Sequence, residues 1–327
     1  MSVGAWFEVV AARRRVAQWQ AAGALAPERA AQARAVLGAD AAPPWRGFLD
    51  ALALWLGAAL LGAGVIFFIA ANWEQLGKFA RLIGMQVLLV AAVAVAIRLA
   101  HRRVAGEAAL FLAVLLLGAL LALLGQTYQT GADTWQLFAL WAALALPWAV
   151  AARSAVVWLT WVVLVNVALV LWLDLQPWRL FSALTGAVVT GILNLTLLLA
   201  WETAARRLPE FEGSIAPRII AALAIAALTA SAAAGVIDRR VFVFDVLPWL
   251  VVTAFVIRRY WIDRRDVVVL AMAALGVIVV VTTLLGRMLL HNNGDMAGAL
   301  LLLAIAVVGQ SAGAAIWLRR VAREGSA

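Results

Sequence analysis

The residues able to do chemistry in this chain are few, and they gather between long apolar runs. Asn72-Trp73-Glu74 follows the first run, a second polar stretch reads Gly125-Gln126-Thr127-Tyr128-Gln129-Thr130-Gly131-Ala132-Asp133-Thr134, and a third reads His291-Asn292-Asn293-Gly294-Asp295. The amides, hydroxyls and carboxylate of the second stretch, converging with Glu74, suit hydrogen bonding to a ligand. Gly125 and Gly131 are where a turned backbone is expected. Glu74 and Asp133 are the pair that acid–base chemistry would use, since it needs positioned titratable groups beside a cavity. The ligand-binding candidates are therefore Asn72, Trp73, Glu74, Gln126, Thr127, Tyr128 and Asp133, together with Asp245, a carboxylate near the start of a later apolar run. No residue is given a catalytic role.

Other chemistries are excluded by residue type. Cysteine is absent, which removes disulfides, thiolate metal sites and cysteine nucleophiles together. The two histidines, His101 and His291, stand far apart, and His291 beside Asp295 lacks the two-histidine spacing of a helical metal site. Neither metal nor cofactor is expected. Gln86, Asn166, Thr185, Asn194, Thr282, Thr283 and Gln310 fall inside apolar runs and read as helix–helix hydrogen-bonding residues. Charge inside a bilayer costs several kcal/mol, from about 2.5 upward. Buried carboxylate–basic pairs are not apparent, which argues against an embedded proton relay.

The elements that must position these residues are membrane spans. Of the 327 residues, 66% are apolar and 13% charged, against about 45–50% and about 25% in soluble domains. A helix needs about 17–25 apolar residues to cross the hydrocarbon core. Ten runs qualify: Phe48–Ala71, Phe79–Ala100, Ala108–Leu124, Trp135–Ala152, Ala155–Leu173, Leu180–Trp201, Pro217–Val236, Val241–Ile257, Val267–Gly286 and Met296–Leu318. The eighth is the weakest, being short and holding Pro248. The runs are continuous, so helices rather than barrel strands are expected. Before them, residues 1–47 read as a loosely amphipathic helix broken by Gly23, a short helix from Pro27 to Leu37, and a linker. The triplet Arg13–Arg15 interrupts the first of these, so no cleaved signal peptide is expected.

Charge orients the bundle. With the N-terminus inside, Lys78, Arg81, Arg179, Arg239, Arg240 and Arg287 fall outside and the other 20 of the 26 basic residues fall inside. That asymmetry predicts cytosolic N- and C-termini. The +9 net charge is thus read as topology and attraction to anionic lipid, with no nucleic-acid partner. Many of the 16 tryptophans fall near predicted span ends, where an indole suits the headgroup boundary. Ala58/Gly62 and Gly309/Gly313, each four apart, are candidate close contacts between helices.

The N-terminal helical pair, Phe67-Phe68-Ile69-Ala70-Ala71-Asn72-Trp73-Glu74, the Gly125–Asp133 motif, Leu140-Trp141-Ala142 through Leu146-Pro147, and Arg153-Ser154 together resemble the bacterial family of predicted membrane proteins called domain of unknown function 2157. The resemblance covers about residues 10–155. It implies an inner-membrane protein with a small cytosolic N-terminal helical pair and implies no reaction. The Gly-Asp-Tyr motif found with some relatives is missing from this chain.

The fold expected is an all-α polytopic integral membrane bundle of about ten transmembrane helices, N-in and C-in, with a cytosolic N-terminal helical hairpin. Residues 1–47 form the cytosolic segment, 48–155 a first membrane bundle and 156–327 a second. The leading functional reading is a transporter of a neutral or weakly polar solute with an outward-facing site. Ten spans divide as five plus five, and the two shortest, Ala108–Leu124 and Val241–Ile257, hold matching third positions, as in inverted-repeat carriers. The alternative is a non-catalytic scaffold or sensor in the bacterial inner membrane, with outer loops that bind a periplasmic ligand or protein partner. A third reading is an outer-face enzyme using Glu74 or Asp133.

Overall fold

A computed structural model describes residues 16, 19–20, 23–36, 45–72, 75–175, 186–237, 242–292 and 296–324. Eleven α-helices form among them, in the order α1 (Pro27–Val36), α2 (Trp45–Ala71), α3 (Lys78–Arg98), α4 (Arg103–Tyr128), α5 (Thr134–Ala152), α6 (Ala155–Asp174), α7 (Gly186–Ala204), α8 (Ile215–Ile237), α9 (Phe242–Arg258), α10 (Val267–Asn292) and α11 (Met296–Glu324). Nine of these are long and apolar enough to cross a membrane. The remaining long one, α9, has 17 residues with Pro248 inside, and a π-helical turn, Arg259–Asp263, prolongs it. The all-α polytopic reading holds. Trp73, Glu74, Arg13–Arg15, the 40–44 linker, the start of the sixth expected span at 180–185 and Asn293-Gly294-Asp295 lie outside the described residues, as does the His291 side chain.

The helices end where local chemistry stops them. Pro27 opens α1, where its missing N–H costs nothing. Gly23 has φ +70°, a conformation that only glycine takes cheaply, and so breaks the chain before it. One expectation changes here. The apolar run Ala108–Leu124 understates its helix, because α4 runs 26 residues from Arg103 to Tyr128. Gly125 is helical, and its carbonyl accepts the N–H groups of Gln129 and Thr130. The turn is therefore only Gln129 to Asp133, with positive φ at Gln129 and Gly131. Helical hydrogen bonds carry the polar Gly-Gln-Thr-Tyr past the apolar run, a continuation that hydropathy does not register.

The chain divides into two compact units, Met1–Ala168 and Leu169–Ala327. In the first, α4 is central, packed by α2, α3 and α5. Leu82, Met85, Ala92, Ala113, Leu116 and Leu123 form one buried cluster between α3 and α4. Gly62 on α2 brings that helix close, since a Cβ there would lie 3.1 Å from Leu115. In the second unit α8 is central, packed by α7, α9 and α10. More than half of its span, 56%, is buried, against 6% for α11. Gly309 and Gly313 on α11 have open space where a Cβ would stand, so the expected close contact is not formed there among the described residues. Many large apolar side chains remain exposed, among them Phe67, Phe68, Leu301 and Val308. Hydrocarbon is the solvent that suits such a surface.

Candidate functional site

Five of the residues expected to bind ligand lie at one end of the first unit, where α2 and α4 end and α5 begins, and they separate into two kinds. Two of them terminate helices. The Asn72 side-chain amide donates to Phe68 O at 2.8 Å at the end of α2, and the Asn72 backbone carbonyl accepts the Leu76 N–H at 3.0 Å just beyond it. Asp133 is the N-cap of α5: its side chain accepts the Gln136 N–H, while Gln136 Oε1 accepts the Asp133 N–H at 3.1 Å. The other three stand on the last turn of α4. Tyr128 is exposed, Thr127 Oγ1 is buried with no hydrogen-bond partner among the described residues, and Gln126 reaches a cavity.

That cavity, of about 260 Å³, lies among α2, α3, α4 and α5. Its walls are Ile66, Ile69 and Ala70 on α2, Met85 on α3, Ala119, Ala122 and Leu123 on α4, and Leu137, Phe138 and Trp141 on α5, with Gln126 as its polar group. Neither Asn72, Tyr128 nor Asp133 lines it. Gly118 fixes its floor. A Cβ at Gly118 would fall 2.3 Å from the Trp141 ring, so the indole lies directly against the α4 backbone and donates to Val114 O at 2.9 Å. Phe138 stacks on Trp141 with ring centroids 5.8 Å apart. Trp161 on α6 in turn donates to Ala142 O of α5 at 3.1 Å. Each indole N–H is thereby satisfied inside an apolar bundle, where an orphan donor would be costly.

Asp245 stands in the second unit and is 0% exposed, on the first turn of α9. Ser231 of α8 donates its hydroxyl to Asp245 Oδ1. Gly235, one turn further along α8, makes room, since a Cβ there would be 2.6 Å from the Asp245 Cβ. Trp249, one turn beyond Asp245, is also buried, and its Nε1 has no hydrogen-bond partner among the described residues. Arg287 on α10 donates to the Val236 carbonyl near the end of α8.

One cluster was missed from sequence. Glu202 on the last turn of α7 is 2% exposed. Arg259 donates to it through both Nε and an Nη, Arg264 Nη2 lies 3.5 Å from it, and Tyr260 donates its hydroxyl to it. Burial, then the bond to Glu202, pushes the Tyr260 phenol well above its ordinary range, while the same carboxylate, through its hydrogen bond, holds Arg259 still more firmly protonated. This corrects the expectation that no carboxylate–basic pair is buried. The pairing spans 57 residues and joins two span ends whose charges read as loop charges. The only sequence signal was Tyr260, one of two tyrosines, placed among arginines. Among the described residues no group of three or more His, Asp or Glu could hold a metal ion.

No curated protein and no solved structure matches the chain. The N-terminal part, residues 17–158, from the described N-terminal residues through α5 and so including the cavity and the Asp133 cap, matches the model of the family described as predicted membrane protein DUF2157.

Proposed function

We propose that this is a multi-pass protein of the bacterial inner membrane, with both termini in the cytosol, that binds a small neutral or weakly polar solute in its first unit. The observation that carries this reading is the cavity of about 260 Å³ among α2–α5, apolar except for Gln126. Pockets of this kind, mostly apolar with a few placed polar groups, are the usual form of a small-molecule site. One amide offers a donor and an acceptor but no charge, so a hydroxyl or carbonyl on an otherwise apolar body is the matching chemistry. Binding, as in a sensor, is favoured over alternating carriage. The matched short segments that suggested an inverted repeat are absent, because α4 has 26 residues and α9 has 17.

The test is photolabelling of the full chain in lipid nanodiscs by a small aliphatic diazirine alcohol. Labelling is expected on α4 and α5 near Gln126 and Phe138, and Ala122→Trp, which fills the space, is expected to remove it. Labelling spread evenly over all helices, or unchanged by Ala122→Trp, rejects the site.

A further inference from the structure

The Gln126 cavity has a side as well as an end. Its α2 wall and its α5 wall belong to helices that both pack on α4, so the cavity is a slot with α4 as its floor. The lip of the slot on α2 reaches the surface of the bundle. Ile66 is 46% exposed, and beside the walls Phe67 on α2 and Leu140 on α5 are 73% and 50% exposed. Ile66 stands five residues before the end of α2, about 7 Å back along the helix axis. It therefore lies within an apolar span, where the surrounding medium is hydrocarbon.

Polarity changes along the slot in one direction. Gln126 stands near the end of α4, and Trp141, pressed against Gly118, closes the other end about 12 Å away along the helix. Gln126 and Trp141 are the lining residues with polar side-chain atoms, and the Trp141 N–H is already given to Val114 O. Between them the floor is Ala119, Ala122 and Leu123. A solute arriving from water brings no matching order. An amphiphile in the bilayer already has it, with its head where the spans end and its chain alongside them. Charge selects among amphiphiles: no lining residue is titratable, so an ionised head would enter without a counter-charge. Width selects again. A volume of about 260 Å³ over that length is roughly 5 Å across, little more than the ~4 Å contact distance between carbon atoms, which leaves room for one chain.

We propose that the slot takes an uncharged, single-chain amphiphile directly from the bilayer, which enters between α2 and α5 and rests its hydroxyl or carbonyl on Gln126 with its chain toward Trp141. This rests on the solute-binding reading of the cavity and adds the class of ligand and its route. The test is photolabelling of the full chain in phosphatidylcholine nanodiscs with two long-chain alcohols that differ only in the place of the diazirine, beside the hydroxyl or at the chain end. The first is expected to label near Gln126 and Leu137, the second near Ala119 and Trp141. Ile66→Trp, which narrows the mouth, is expected to lower both about tenfold. Ile97→Trp, on an exposed position of α3, is expected to change neither. The matching alkyl sulfonate is expected to label about tenfold less than the alcohol. Identical labelling sites for the two alcohols, labelling unchanged in Ile66→Trp, or a sulfonate that labels as well as the alcohol would each overturn the proposal. Should Ile66→Trp fail to fold, the comparison of the two alcohols on the native chain decides. Cavity labelling by the small alcohol with none by the long-chain alcohols would overturn this inference and leave the solute site standing, whereas labelling by neither would remove both.

Discussion

Glu202 illustrates how a charge is kept inside the protein at the residue scale. A carboxylate that is 2% exposed survives because Arg259, Arg264 and Tyr260 all face it. Breaking such a pair from one side leaves a buried charge alone, a loss of about 3–5 kcal/mol when both partners are fully buried. Arg264 is 38% exposed and water screens it, so the loss here is expected toward the lower end. The phenol gives a cleaner test. Tyr260 is held un-ionised by burial and by its bond to Glu202, so its pKa in the fold lies above the ordinary 10.0. A raised folded value means that the bond contributes fully below that ordinary pKa and is lost as pH rises through the folded one. The stability difference between native protein and Tyr260→Phe is therefore expected to stay constant below about pH 9 and to shrink only in strong alkali. With Tyr128→Phe, Tyr260 is the one remaining tyrosine. Ultraviolet titration of that folded variant should then show no phenolate at about pH 10. Phenolate appearing there would contradict the geometry.

Helix ends decide what several polar residues can do, and this belongs to the element scale. Asn72 and Asp133 sit in the most polar stretches of the first unit, yet each spends its hydrogen bonds on closing a helix. The α5 cap is a reciprocal box, and removing such a cap costs about 1 kcal/mol. Asp133→Ala is expected to lower the melting temperature in detergent, while Asp133→Asn, which keeps an accepting oxygen, is expected to stay near the native value. Both should retain photolabelling at the Gln126 cavity. Loss of labelling in both with unchanged melting would make Asp133 a ligand instead of a cap. Asp266 follows the same logic in the second unit: its Oδ1 accepts the Val268 N–H at the start of α10, and both its oxygens accept from Arg218 Nε. One carboxylate there starts a helix and ties it to α8.

At the scale of the whole molecule, two units have different centres. The central helix is α4, third of the five long helices from α2 to α6, in the first unit, but α8, second of the five from α7 to α11, in the second. Equivalent repeats would place their hubs at equivalent positions, so the packing gives the inverted-repeat reading no help. Topology is open to direct measurement because the native chain has no cysteine. Tyr128→Cys is expected to react with a membrane-impermeant maleimide added to intact spheroplasts. Arg320→Cys is expected to react only after permeabilisation. The reverse pattern would invert the bundle.

Much of this architecture is legible from composition and order alone. Apolar runs of membrane-spanning length must become helices, because hydrocarbon offers the backbone no other hydrogen-bonding partner, although where a helix stops is less legible, since α4 continues past its apolar run to Tyr128. Two things needed the tertiary structure. One is which polar residues are already engaged: Asp133 is taken by a cap three residues away, whereas Glu202 is taken by an arginine 57 residues away. The other is where space remains. Gly118 is filled by Trp141 and Gly235 by Asp245, while Gly64 and Gly84 stay empty, although all four are the same residue in equally apolar surroundings. A glycine removes a side chain; only the helix packed against it decides whether the gap becomes a contact or a groove.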